Sequence, residues 1–331
     1  MNNETISIKK GGTKPLVHLL PMMVLLVLGM ISLIGVVSAD DYFHGAPPVT
    51  KLSGEVNGSI DVLMNNPNTW STTAPTRDAQ HVWGNMTLNA VPSQVDLEFA
   101  RLYVVVYCGN MSADYTGNMS VQLYNGNTLG DVLVNDKELS LSYDRNVGAT
   151  YDTSVVYPLV NLSRVTSDYV AVFDVKDNLS DLNTNNLNVS VTTYNETGNF
   201  DGRVKTVQLV YGWNVTSGST GNTKYWVNEG HDPMTKNGTA NVYNTTWFND
   251  TGNPRNYDAT LWVDYLASTD GAYKWNSNSF TPVNINQWTY AGLNRYAWSN
   301  VLGPGMSDDN YLEYYRGNNW YKMNFAVLAL K

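Results

Sequence analysis

Apolar and polar residues alternate with a period of two through most of the chain after residue 40. The apolar positions are rich in the β-branched and aromatic residues that suit a pleated, half-buried surface. The alternation predicts strands over Arg101–Cys108, Ser120–Tyr124, Tyr169–Asp174, Leu187–Thr193, Thr206–Trp213, Thr260–Tyr265 and Lys322–Leu330. Turn-forming clusters separate them: Asn125-Gly126-Asn127, Glu196 to Asn199, Asp201-Gly202, and Ser217 to Asn222. No window of about a dozen residues carries helical periodicity with caps. The pattern therefore predicts an all-β protein, an antiparallel β-sandwich of jelly-roll type.

Two pairs of stretches resemble each other. Ala100 to Tyr107 is similar to Ala259 to Tyr265, and Phe200 to Tyr211 is similar to Tyr315 to Leu328. A Gly/Ser/Thr/Asn-rich linker at 217–223 lies between the two halves. This predicts two tandem sandwiches, one over residues 40–220 and one over 224–331, although any two apolar strands share part of such a likeness.

The first 39 residues have the order of an export signal, with an expected hydrophobic helix. Lys9, Lys10 and Lys14 form a basic head, Leu16 to Val37 is apolar, and Val37-Ser38-Ala39 is a small-residue exit. Cleavage after Ala39 would leave Asp40 as the N-terminus. The competing reading is a retained signal anchor, because the apolar run, broken by His18 and Pro21, approaches the ~20 residues that span a bilayer. Both readings put the remainder outside the cell, and the membrane is met only through this segment if it is uncleaved. No second segment of spanning length follows, and Met323 to Lys331 reads as a final strand.

Without that segment, 17 Lys and Arg face 28 Asp and Glu, because Lys9, Lys10, Lys14 and Glu4 are removed from totals of 20 and 29. An acidic chain with no basic run argues against nucleic acid as a partner. The single cysteine, Cys108, lies inside an apolar run, so it reads as a small buried hydrophobe and an intrachain disulfide is excluded. Asparagine is frequent, and 12 Asn-X-Ser/Thr triplets follow the signal: Asn57, Asn85, Asn110, Asn118, Asn161, Asn178, Asn188, Asn195, Asn214, Asn237, Asn244 and Asn249. Their density points to an N-glycosylated surface protein.

The residues from Tyr169 onward carry a resemblance. It lies in the strings Asp174-Val175-Lys176-Asp177, Asn188-Val189-Ser190-Val191, Phe200-Asp201-Gly202-Arg203, Leu209-Val210-Tyr211 and, most specifically, Tyr225-Trp226-Val227-Asn228-Glu229-Gly230-His231-Asp232. Together with Phe99 to Tyr103, they resemble a domain-of-unknown-function family of methanogen surface proteins with adhesin-like character. The resemblance implies an archaeal envelope location and a β-sandwich display module. It implies no reaction.

Local chemistry adds little to that. His18, His44, His81 and His231 are not spaced as metal ligands, and the Glu229 to Asp232 string reads as a structural turn. Asp174, Asp177 and Asp181 are weak candidates for structural calcium, without the EF-hand pattern; no other cofactor is expected. No nucleophile-elbow sequence is present, so no catalytic residue is assigned. Aromatic residues concentrate in the C-terminal third, where Trp288, Tyr290, Tyr296, Trp298 and Trp320 are candidates for a ligand face, since flat rings stack on the C–H faces of sugars. A sandwich interior uses the same side chains. The expectation is a non-enzymatic surface protein for adhesion or the envelope, with cell-envelope proteins or glycans as partners. The alternative is a secreted carbohydrate-binding or carbohydrate-processing protein.

Overall fold

The computed structural model describes residues 40–44, 46–65, 80–109, 113–125, 128–144, 148–151, 165–218, 221–234, 243–251, 257–266, 271–288, 291–298, 309–316 and 320–331. Residues 1–39, for which an export signal and a helix are expected, lie outside them. Among the described residues no helix is long and apolar enough to cross a membrane.

Among the described residues, twenty strands form four antiparallel sheets. The first inner sheet contains β1 (Asp40–His44), β9 (Val165–Asp174), β5 (Asp96–Gly109), β11 (Phe200–Asn214) and β3 (Gly58–Asn65), in that spatial order. The first outer sheet is β4 (Gln80–Thr87), β10 (Asn186–Gly198), β6 (Tyr115–Asn125), β7 (Thr128–Asp144) and β8 (Gly148–Tyr151). The second inner sheet runs β17 (Val283–Trp288), β18 (Ala291–Trp298), β14 (Ala259–Leu266), β20 (Tyr321–Leu330), β12 (Thr223–Met234) and β2 (Ala46–Val56). The second outer sheet is β13 (Tyr243–Phe248), β19 (Asn310–Arg316), β15 (Gly271–Trp275) and β16 (Asn278–Phe280). One short helix, α1 (Lys176–Ser180), follows β9.

Each inner sheet is covered on both faces, which explains the uninterrupted apolar runs in β5 and β20. From β5, Phe99, Tyr103 and Val105 pack against Tyr225, Val227, Phe325 and Val327 of the second inner sheet, while Leu102, Val104, Val106 and Cys108 are buried on the opposite face. That opposite face meets the first outer sheet, where the Tyr115 and Phe200 rings lie 5.9 Å apart and Thr193 Oγ1 donates to the Gly202 carbonyl at 2.7 Å. On the far side, Leu261, Val263, Met323 and Leu328 pack against Phe248, Tyr273, Leu312 and Tyr314 of the second outer sheet. The layers therefore stack as outer, inner, inner, outer. A strand with a partner on each face has no solvent side and no need of alternation.

Residues 58–214 supply the first two sheets apart from β1, and residues 223–330 the other two apart from β2. The early segment Ala46–Val56 pairs with β12 and not with its sequence neighbours, before the chain returns at Gly58 to pair with β11. Ser38–Lys331 forms one compact unit. At the return, a Cβ on Gly58 would lie 1.9 Å from the Trp213 carbonyl oxygen, so only glycine fits the crossing between sheets. Of the similar stretches, Ala100–Tyr107 and Ala259–Tyr265 lie in β5 and β14, and Phe200–Tyr211 and the end of Tyr315–Leu328 lie in β11 and β20; β5 neighbours β11 in the first inner sheet as β14 neighbours β20 in the second.

Two local expectations change. Asp201-Gly202 is not a turn: it is a bulge inside β11, where Gly202 takes φ 70° and the register against β5 shifts. The Glu229 to Asp232 string is not a turn either. It lies within β12, with a bulge between Glu229 and His231 in its pairing with β2, and all three charged or titratable side chains are fully buried.

That burial belongs to a polar network between the inner sheets. Arg101 on β5 pairs with Glu229 on β12 through Nε to Oε1 at 3.0 Å and Nη2 to Oε2 at 2.9 Å, and the Tyr103 hydroxyl donates to Oε1 at 2.6 Å. Asp168 on β9 is bridged by Lys205 of its own sheet at 2.5 Å and by Lys322 of the opposite sheet. His231 Nδ1 meets Asn324 Oδ1 at 2.8 Å; an amide oxygen only accepts, so the ring proton is on Nδ1. Asn324 Nδ2 donates to Asp264 Oδ2 at 2.5 Å, and the other Asp264 oxygen accepts from Gln208 across the interface.

Burial raises the free energy of every charge here. It works to raise the Asp168 carboxyl, but Lys205 and Lys322 outweigh it and hold the group well below the usual range. Burial lowers Lys322 to about 8 against the pull of Asp168, lowers His231 to about 4, and raises Asp264 to about 7 despite its two amide donors. Replacing Asp168 with Asn leaves two buried ammonium groups facing each other. We expect Asp168→Asn to lower the unfolding free energy at pH 7 by about 3–5 kcal/mol, read from guanidinium denaturation; an unchanged midpoint would show that the lysines are not desolvated.

Candidate functional site

A cleft of about 400 Å³ opens where the edge of the first inner sheet meets the second. Ser59, Ile60 and Asp61 come from β3, Trp213 from the end of β11, and Asn89 from the segment after β4. Thr223 opens β12, Thr260 and Trp262 lie on β14, Arg295 on β18, Ala329 on β20, and Asp258 and Lys331 flank these strands. The walls thus come from both inner sheets. They could not form this cleft unless β3 and β11 were held against β14, β18 and β20.

Asp61 is the most elaborately held polar group of the lining. Its Oδ1 accepts the Val62 N–H at 2.9 Å, its Oδ2 accepts Asn89 Nδ2, and the Tyr211 hydroxyl, which itself accepts the Asn89 N–H at 2.8 Å, is a further partner. Burial raises the Asp61 carboxyl above its ordinary value, and these donors and Arg295 only partly offset that. The same carboxylate, after burial, pushes the Tyr211 hydroxyl far up. Trp213 stacks on Tyr211 with centroids 5.1 Å apart, and the Arg295 guanidinium lies 5.8 Å from the Trp262 ring centre. Rings, hydroxyls, amides and charges of both signs in one concavity suit a polyhydroxylated, largely uncharged ligand.

None of the candidate site residues named from the sequence lines this cleft. Tyr296 and Trp298 are half-buried and pack with Phe280 and Trp275, centroids 4.7 to 5.8 Å apart. Trp320 is exposed, the Trp288 side chain is not among those described, and Tyr290 lies outside the described residues. Asp174, Asp177 and Asp181 are exposed around α1, where Asp174 accepts the Lys176 N–H at 3.1 Å; among the described residues no three metal-ligating side chains converge. His44 and His81 sit on β1 and β4, their side chains not described. Of the sequon asparagines, Asn85 and Asn249 are exposed; Asn57, Asn118, Asn178, Asn195, Asn214 and Asn244 are half-buried; Asn188 is buried; Asn110, Asn161 and Asn237 lie outside the described residues. Asn244 Nδ2 is turned inward to Asp232 at 2.9 Å. The cleft was hidden in the sequence because its residues are scattered from 59 to 331. Tyr211 and Trp213, two residues apart near the end of β11, were the available signal.

Residues 41–331 match the family model described as Protein of unknown function (DUF3344). No curated protein matches the chain. Among solved structures, three of an N-glycanase are similar at 13% identity, each over 82% of this chain. They are peptide-N(4)-(N-acetyl-β-D-glucosaminyl) asparagine amidase (96% of that chain, TM-score 0.25), PNGase F, a glycosylasparaginase from Flavobacterium meningosepticum (96%, 0.24), and recombinant N-glycanase F (95%, 0.26). At these TM-scores no residue role carries over.

The hydrogen bonds to Asp61 set the expected titration. In a carboxyl-carbon NMR titration Asp61 has a midpoint above that of an exposed aspartate, and Asn89→Ala, which removes a donor to the charged form, moves it further up. A midpoint at or below the ordinary value would contradict the burial assigned to this group.

Proposed function

We propose, for a chain that belongs to the family Protein of unknown function (DUF3344), the role of an exported surface protein that binds glycans in the cleft between its inner sheets. The observation that carries this reading is the cleft's lining, in which Trp213 and Trp262 accompany Asp61, Asn89, Thr260 and Arg295. Indole faces stack on sugar C–H faces, and the amide, hydroxyl and carboxylate groups exchange hydrogen bonds with sugar hydroxyls. The N-terminal segment is read as the export signal or anchor, the sequons as sites of N-glycosylation, and the location as an archaeal cell envelope with adhesion as the outcome of binding. The acidic balance and the resemblance to methanogen surface proteins support that setting.

A processing activity is the second reading, favoured by Asp61 alone. A cleft carboxyl held above its ordinary value retains a proton at a pH where an exposed aspartate does not.

Two measurements test the proposal. Calorimetric titration with neutral oligosaccharides is expected to give saturable binding to the full chain, and Trp213→Ala and Asp61→Ala are each expected to weaken it about tenfold or more, worth about 1.4 kcal/mol. Binding that neither substitution changes would place the ligand elsewhere, and release of shortened glycan during the titration would favour processing. Site-resolved mass spectrometry of native protein is expected to find glycan on Asn85 and Asn249 and none on the buried Asn188. Occupancy at Asn188 would require modification before folding.

A further inference from the structure

The outward face of the second outer sheet carries a second arrangement of rings, remote in the fold from the lining of the cleft. Strand pairing fixes its grid. Tyr243 on β13 faces Tyr315 on β19, Thr245 faces Glu313, and Trp247 faces Tyr311; on the other side of β19, Ala272 faces Tyr315 and Lys274 faces Glu313. Alternation along a strand turns 243, 245, 247, 311, 313, 315, 272 and 274 to one side, whereas Phe248, Leu312, Tyr314, Tyr273 and Trp275 fill the core on the other.

The result is two aromatic pads with a polar strip between them. Tyr243 and Tyr315 stack with centroids 5.6 Å apart, and Trp247 and Tyr311 lie 4.7 Å apart. Tyr243 is 56% and Trp247 50% exposed, whereas Thr246 and Phe248, which alternate with Trp247, are buried. The pads are four residues apart along each strand, or about 13–14 Å. In the strip between them the Tyr315 hydroxyl donates to Glu313 Oε2 at 2.5 Å, Lys274 Nζ lies 3.8 Å from the same carboxylate, and Lys274 sits 4.7 Å from the Tyr315 ring centre.

We infer that this face is a platform for a linear, uncharged polysaccharide, separate from the cleft. The Lys274 and Glu313 charges compensate each other, so these outward positions carry no net charge, and the chain as a whole is acidic, which disfavours an anionic polymer; both groups retain hydrogen-bonding capacity toward hydroxyls. Flat rings at both ends and donors and acceptors between them match a chain that presents C–H faces and hydroxyls in alternation over several sugar units. The face is an open sheet surface and not a concavity, so it takes the side of a long chain, while the cleft takes a shorter piece.

Affinity electrophoresis of the full chain through gels holding hydroxyethylcellulose, mannan, galactan or, as the charged control, alginate tests the inference. We expect retardation by at least one neutral polymer and not by alginate. Tyr243→Ala and Trp247→Ala, both at exposed positions, should each weaken that retardation about fivefold or more, and Tyr194→Ala, exposed on the first outer sheet, should leave it unchanged. Native circular dichroism of each variant separates loss of binding from loss of fold; if a variant is misfolded, Tyr243→Ser and Trp247→Ser serve the same comparison. Retardation by no neutral polymer, or retardation lost on Trp213→Ala but kept in the face variants, overturns the platform; the latter result leaves the cleft reading intact. Sedimentation showing a dimer that Trp247→Ala converts to monomer also overturns it, in favour of a second copy of the chain as the occupant.

Discussion

The constraint on which this molecule depends is the burial of charge between two sheets. Arg101, Asp168 and Lys205 on the first inner sheet meet Glu229 and Lys322 on the second, in an interface whose surroundings are valine, phenylalanine and tyrosine. Apolar burial alone would allow the sheets to slide or rotate with little change in free energy. A buried ion pair tolerates no such slip, because each ångström of separation exposes an unpaired charge to a low-dielectric medium. The bidentate Arg101–Glu229 contact fixes orientation as well as distance. The hydrogen-bonded series His231, Asn324, Asp264, Gln208 extends the same lock across the interface.

Position at the seam follows from that lock. The cleft takes Asp61 and Trp213 from one sheet and Trp262 and Arg295 from the other, so its geometry is as stable as the register between the sheets. The early strand β2, which leaves its neighbours to pair with β12, ties the two halves a second time. The outer sheets have a different task. They cover the inner ones on one side and remain open on the other, and on the second of them the open side carries paired rings.

Much of the fold was legible in the sequence. All seven strands expected from alternation lie within strands, from Arg101–Cys108 inside β5 to Lys322–Leu330 inside β20. The apolar run Leu102 to Cys108 also held the evidence of burial on two faces, since a half-exposed strand would have alternated. The sheet assignment of Ala46–Val56 was not legible, because nothing local distinguishes a strand that pairs with residue 223 onward from one that pairs with its neighbours. The string from Tyr225 to Asp232 misled for a physical reason: glycine, histidine and acids favour turns unless tertiary partners satisfy them, and here Arg101, Asn324 and Tyr314 do. Beyond Tyr211 and Trp213 at the end of β11, the cleft was not legible, because its residues converge only through the stacking of sheets.

The central claim is that the two halves form one structure locked by buried charge, with the cleft as a rigid feature of the lock. Differential scanning calorimetry of the chain from Asp40 onward tests it most directly. The account predicts a single transition whose calorimetric and van't Hoff enthalpies agree. Two separated transitions, each with the enthalpy of half the chain, would contradict it.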